Sequence, residues 1–142
     1  MTYSIPECFY RISVKALILN ETRDKFLIVK EKKGVWELPG GGLDHYASPQ
    51  DDVKREINEE MGVEVEWVAE NPSYFLTYST DAPARHIANV LYEVKVKSLD
   101  FTPSDECVET RFVTSEEAKE MNLIGNVRIF TDLFNPSLHQ EK

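Results

Sequence analysis

The chain has 142 residues, 42% of them hydrophobic and 29% charged, and 16 basic against 25 acidic residues leave a formal charge of −9. That length and apolar content suit one globular domain over residues 1–142 with its own core. The acidity, with no lysine-arginine cluster, argues against a nucleic acid polymer as partner, because attraction to the phosphate backbone supplies most non-specific affinity. No apolar run is long enough to span a bilayer, residues 1–7 lack both parts of a signal peptide, and Cys8 and Cys107 fit no metal or redox spacing. A cytoplasmic protein with reduced thiols and no membrane association is therefore expected.

In chain order, residues 10–19 alternate as a strand with Ile12, Val14, Ala16 and Ile18 on one face, and residues 26–29 read as its hairpin partner across 20–24. Trp36, Glu37 and Leu38 form a short strand that runs through Pro39 into Gly40, Gly41 and Gly42. Three glycines admit close approaches that other residues cannot, which predicts a loop able to aim carbonyls and amides at a ligand. A helix follows, with Ser48 as N-cap, Pro49 in the first turn, Asp51 in a capping-box-like place and Gly62 as a left-handed stop. Strand content returns at 63–68, 74–78, 87–96 and 110–113. A second helix begins at Ser115, a third covers 127–134 before Pro136, and residues 137–142 are expected to fray. Strands with interspersed helices in mixed order predict an α/β sandwich. Tyr74, Phe75 and Tyr78, at strand spacing, favour core or cross-strand contacts over stacking on a base. His45, and His86 beside Arg85, read as exposed polar residues.

The first helix carries the chemistry. At ~100° per residue, Glu56, Glu59 and Glu60 fall within roughly 100° of one another, beside an apolar stripe of Val53, Ile57 and Met61 from which their carboxylates are expected to point away. Acids three and four apart repel. Arg55 answers one of them, and the remaining charge suits Mg²⁺ or Mn²⁺, hard cations held by a few carboxylates together with substrate phosphates.

These residues resemble the Nudix hydrolase family, whose box reads G, five residues, E, seven residues, then R-E-U-x-E-E-x-G-U with U a bulky aliphatic. Gly41, Arg55, Glu56, Ile57, Glu59, Glu60, Gly62 and Val63 stand at the matching places, and Ala47 stands where the family has its first glutamate. The resemblance implies the Nudix α/β/α sandwich, a mixed β-sheet with the box helix packed on it. It further implies a pyrophosphohydrolase that uses Mg²⁺ or Mn²⁺ to hydrolyse a nucleoside diphosphate derivative by attack of water on phosphorus.

Carried over by position, Glu56, Glu59 and Glu60 are the expected metal ligands, with the carbonyl of Gly40 a further one and Arg55 orienting the glutamates. Glu106, in a later loop, is the expected general base, with Asp105 second. Gly41, Gly42, Asp44 and Asp105 form a weaker substrate-binding set. Asp44, three residues before Ala47, or Asp52, one turn before Glu56, stands in for the missing carboxylate; the alternative is a site of lower metal affinity. The expected partner is a small nucleotide, with a homodimer left open. A second reading is a Nudix-type sensor domain that binds a nucleotide without turning it over.

Overall fold

The computed structural model describes Ser4 and residues 7–140. β1 (Arg11–Leu17) is buried on both faces from residue 14 onward. A strand buried on both faces needs neighbours on both edges and cover above and below. It obtains the edges from β4 (Gly40–Gly42), antiparallel, and from β7 (Ala84–Val96), parallel. β7 is long enough to serve two further antiparallel partners in succession, β6 (Tyr74–Asp81) and β5 (Val65–Val68). A second, three-stranded sheet consists of β3 (Trp36–Glu37), β2 (Phe26–Lys30) and β8 (Glu109–Val113).

Three helices cover these sheets. α1 (Pro49–Met61) places Val53, Ile57 and Met61 against Val14, Ala16, Ile18, Tyr92 and Val94. On the opposite side α2 (Ser115–Lys119) and α3 (Gly125–Leu133) bring Ala118, Val127 and Phe130 onto Leu17, Phe26, Trp36 and Leu91. The result is the α/β sandwich that the sequence implies, built on one mixed and one antiparallel sheet. The ends of α1 form as expected: Asp51 N–H donates to Ser48 Oγ at 3.1 Å, and Gly62, at φ 65°, donates its N–H to Asn58 O at 2.8 Å.

Four expectations are corrected. The segments 10–19 and 26–29 pair as a hairpin only at their adjoining ends, around the Leu19 and Phe26 bridge where Leu27 N–H donates to Ile18 O and Asn20 N–H to Lys25 O; beyond it β1 and β2 part into different sheets. The Asn20 side chain bends residues 20–24 into a corner by bonding Thr22, Asp24 and Lys25, and this frees both strands to find other partners. Gly40–Gly42 is a strand, its pairing with residues 13–15 of β1 taking precedence over the looseness of glycine. β6 and β7 extend past 78 and begin before 87, as backbone pairing continues through polar residues that carry no alternation. Residues 137–139 are not frayed: Pro136–His139 forms a 3-10 turn, with His139 stacked on Phe134 and bonded through Nε2 to Tyr74 Oη at 2.6 Å. Residues 141 and 142 lie outside the described residues. No helix among the described residues is long and apolar enough to cross a membrane.

Candidate active site

The site lies where α1 crosses β4. Gly41 has no side chain because the Glu56 carboxylate occupies that space; a Cβ there would sit 2.5–2.7 Å from the carboxylate atoms. One turn on, Glu60 turns inward. Only 7% exposed, it accepts the Gly40 N–H at 3.3 and 3.4 Å on its two oxygens. This corrects the expectation that Glu59 and Glu60 both point away from the core. Glu59 remains outside, held by Arg55 Nη1 at 3.2 Å.

Arg55 does more than answer one acid. Its Nη2 donates to Glu56 Oε1 at 3.1 Å, Asp44 Oδ2 at 3.1 Å and Asp52 Oδ1 at 3.4 Å, so with Glu59 it gathers four carboxylates. Bonding to Glu59, and then the charges of Glu56 and Glu59, raise its basicity and keep it cationic. Asp52, 3% exposed, also accepts the Asp44 N–H at 2.7 Å. Asp44 and Asp52 therefore tie the 43–48 segment to the helix through Arg55, around Ala47. Tyr46, in that segment, has φ 67° and a fully exposed ring packed edge-on to His45.

Charge inside the site is under-compensated. Burial pushes the Glu60 carboxyl up to about 8; Lys15 and the Gly40 amide oppose this, while Glu106 and Glu56 add to it. Glu56 is also raised, first by burial, with Arg55 pulling it down and Glu59 and Glu106 pushing it up. The structure thus brings Glu106 into the field of Glu56 and Glu60. Its loop is anchored by Ser104 Oγ, which donates to Glu60 O at 2.7 Å. Asp105 is not brought in, since its exposed carboxylate faces Lys32 at 3.8 Å. Among the described residues no three acidic, histidine or cysteine side chains converge closely enough to enclose a metal ion.

Lys15 is the residue that the sequence reading missed. Buried on β1, its ammonium donates to Leu38 O and Gly40 O, each at 3.4 Å, and lies 3.8 Å from Glu37. The available signal was a lysine inside an apolar strand, between Val14 and Ala16. A buried ammonium requires acceptors, and here they are carbonyls of the segment leading into the glycine strand. Gly42 presents its open face to a different cation, the Arg11 guanidinium.

The aromatic residues divide. Tyr74 is core, packed edge-on to Phe130. Phe75, expected in the core, is 65% exposed because it alternates onto the opposite face of β6 from Tyr74 and Leu76. Tyr78 is part-buried, near Glu37 and Arg85. His86 is exposed, bonded to Ser79 Oγ at 2.8 Å. Cys8 and Cys107 are both free thiols.

Fold and site together define an α/β protein that presents a carboxylate-bearing helix to a glycine strand. A NUDIX domain family model matches residues 9–133, and the chain belongs to the Nudix family. It is 37% identical over 81 residues to an RNA pyrophosphohydrolase of Ruthia magnifica subsp. Calyptogena magnifica, covering 55% of this chain and 44% of that protein. To an RNA pyrophosphohydrolase of Campylobacter jejuni subsp. jejuni it is 34% identical over 82 residues, covering 54% and 51%. The chain therefore spans about half the length of these curated relatives. Among solved structures it is similar to a MutT protein from Methanosarcina mazei, with a TM-score of 0.73 and 26% identity over 90% of this chain and 94% of that one. A NUDIX hydrolase from Nitrosomonas europaea shares the fold, with a TM-score of 0.64 at 19% identity over 80% and 78%.

Proposed function

We propose that the chain is a divalent-metal-dependent pyrophosphohydrolase acting on a nucleoside diphosphate derivative in the cytoplasm. The observation that carries this reading is the pair Glu56 and Glu60 beside the Gly40 and Gly41 backbone, two carboxyls pushed up first by burial and then by the nearby charge of Glu106. These donors are all oxygen and short of positive charge, the chemistry that a hard cation takes, and they would have to draw closer together to enclose one. The Gly40 carbonyl already accepts from a cation, the Lys15 ammonium, which marks it as a position where positive charge is stabilised. Glu56, Glu60 and the Gly40 carbonyl would hold Mg²⁺ or Mn²⁺, with Glu59 at the rim. The ion supplies neutralisation of charge on the phosphate oxygens.

The chain's own groups do the rest. Arg55 fixes Glu56 and Glu59 by charge-assisted bonds and keeps them from splaying apart. Glu106 takes a proton from the attacking water as its oxygen bonds to phosphorus; the bond from phosphorus to the bridging oxygen breaks, and two phosphate products leave. The names of the pyrophosphohydrolase relatives support cleavage of a pyrophosphate. The sensor reading draws on Ala47, which removes one carboxylate from the box.

The deciding experiment is turnover of nucleoside triphosphates, nucleotide sugars, dinucleoside polyphosphates and 5′-triphosphorylated oligonucleotides with Mg²⁺ or Mn²⁺. Release of phosphate or pyrophosphate that stops in excess chelator is expected. Tight nucleotide binding with no turnover on any of them transfers the assignment to a sensor.

A further inference from the structure

Among the described residues five strands leave an outer edge: β4, β5 and β6 on the mixed sheet, β3 and β8 on the antiparallel one. An outer edge offers unpaired N–H and C=O groups to any further strand, and proteins blunt it by shortness, charge, proline, a bulge or cover. Four of these edges are blunted. β4 has three residues, and β3 is covered by the 122–124 segment, with Trp36 N–H donating to Asn122 O at 2.9 Å and Ile124 N–H to Trp36 O at 3.0 Å. β5 carries Glu66 and breaks register between Val65 and Trp67, and β8 carries Glu109 and Arg111. β6 has none of these devices. It runs eight residues, about 27 Å, in unbroken register with β7. Residues 74–80 hold no charge, proline or glycine, in a chain of net charge −9. Apart from its pairing with β7, no backbone-to-backbone hydrogen bond among the described residues reaches it.

The face of β6 on the α1 side is bare as well. A row of partners, Gly41, Val14, Val90 and Phe75, crosses the sheet in register. α1 buries Val14 completely, whereas Phe75 at the far end of the row is 65% exposed. An exposed phenylalanine on an unprotected edge is what an added strand covers. We propose that β6 pairs antiparallel with β6 of a second copy of this chain, in a register centred on Thr77, to form one continuous sheet. A two-fold axis perpendicular to the sheet lays β6 on itself, so one edge supplies both halves of the ladder. Centring on Thr77 sets residues 74–80 against 80–74, the whole uncharged run, and two acidic chains meet there with no like-charge pair. The α1-side faces stay matched, so Phe75 lies opposite Ser79 of the other copy and diagonal to its Thr77. β4 and its contact with Glu56 lie at the opposite edge of the sheet, which leaves both candidate active sites open. The strip buries on the order of several hundred Å² per copy, below the ~800 Å² of a standard interface, so association should be reversible.

Sedimentation equilibrium of the full chain over a concentration series, in chelator, should show a reversible dimer. A variant carrying Phe75→Lys and Thr77→Lys sets lysines against lysines across the junction, the charge that natural edges use to refuse a partner. Its dissociation constant should rise by about tenfold or more, since several cross-strand pairs are lost at once. Both positions are exposed, so the variant should fold, which its melting curve checks. Hydrogen exchange reads the same junction with no substitution, and decides alone should the variant fail to fold. Along β6 alternate amides bond to β7 and the others point outward. The inward set should be protected at every concentration, and the outward set should gain protection as concentration rises. A wild type that stays monomeric at the highest concentration, a dimer that the lysines leave unchanged, or a dimer whose outward β6 amides exchange as in the monomer overturns the proposal.

Discussion

Glu59 and Glu60 are neighbours in sequence with opposite environments, and their isosteric amides should separate accordingly. Glu60→Gln keeps an acceptor for the Gly40 N–H and removes a carboxylate that is costly to ionise where it is buried. It should lower kcat/KM by more than about 100-fold, beyond the 10- to 100-fold typical of a supporting partner, while leaving metal-free thermal stability at pH 8 equal to or above that of the wild type. Glu59→Gln loses an exposed pair with Arg55, so stability should change by less than about 1 kcal/mol. Melting curves in chelator, with kinetics in Mg²⁺, check both. A Glu60→Gln protein that is active, or one that is less stable at pH 8, contradicts the role given to its carboxylate. At this scale the sequence displayed the acids but not their burial. Helical angle places Glu56, Glu59 and Glu60 on one flank, whereas which of them turns inward depends on where the Gly40 amide lies.

At the scale of elements, the contact of β4 with α1 is the joint that makes a site. Gly41→Ala puts a Cβ onto the Glu56 carboxylate, and the backbone of β4 cannot retreat because it is paired to β1. The expected result is a loss of at least about tenfold in kcat/KM and in metal affinity, with little change in melting temperature if Glu56 swings away. Isothermal titration with Mn²⁺ and steady-state kinetics test it; unchanged metal affinity would detach Glu56 from the metal. The 43–48 segment offers a second test. Asp44 and Asp52 already hold Arg55, so if they replace the carboxylate missing at 47, Ala47→Glu should change the metal requirement little and Asp52→Asn should raise it. A large gain in Ala47→Glu with no effect of Asp52→Asn would mean that the site works with fewer charges. The helix caps were legible in Ser48 and Gly62 because capping is local chemistry. The glycine strand was not, because glycine has no pattern of its own and took its conformation from β1.

For the molecule as a whole, the buried carboxyls couple stability to pH and to metal. The Glu60 carboxyl sits at about 8 in the folded protein against 4.5 for an ordinary glutamate. Between those values the folded chain keeps a proton that the unfolded chain releases, so the folded state binds more protons and stability falls as pH rises. The contribution is complete below about pH 4.5 and gone above about 8, and Glu56 acts in the same direction. The metal-free protein should therefore lose melting temperature from pH 5 to pH 8, and Glu60→Gln should flatten that decline. Mn²⁺ should restore more at pH 8 than at pH 6, because it binds the ionised carboxylates and the folded state alone. Scanning fluorimetry over pH, with and without chelator, reads all three trends; a metal-free wild type that gains stability over this range would contradict the buried proton.

What the sequence determined by itself was whatever rests on short-range spacing: the capped helix, the order of its carboxylates, the α/β alternation and the family they signal. Tertiary structure decided which strands pair, since β1 and β2 are each buried on both faces and no local rule says whose edge they join. It also decided the burial of Lys15 against the Gly40 carbonyl and the meeting of Arg11 with Gly42, because cations far apart in sequence from their acceptors are placed only when the sheets close.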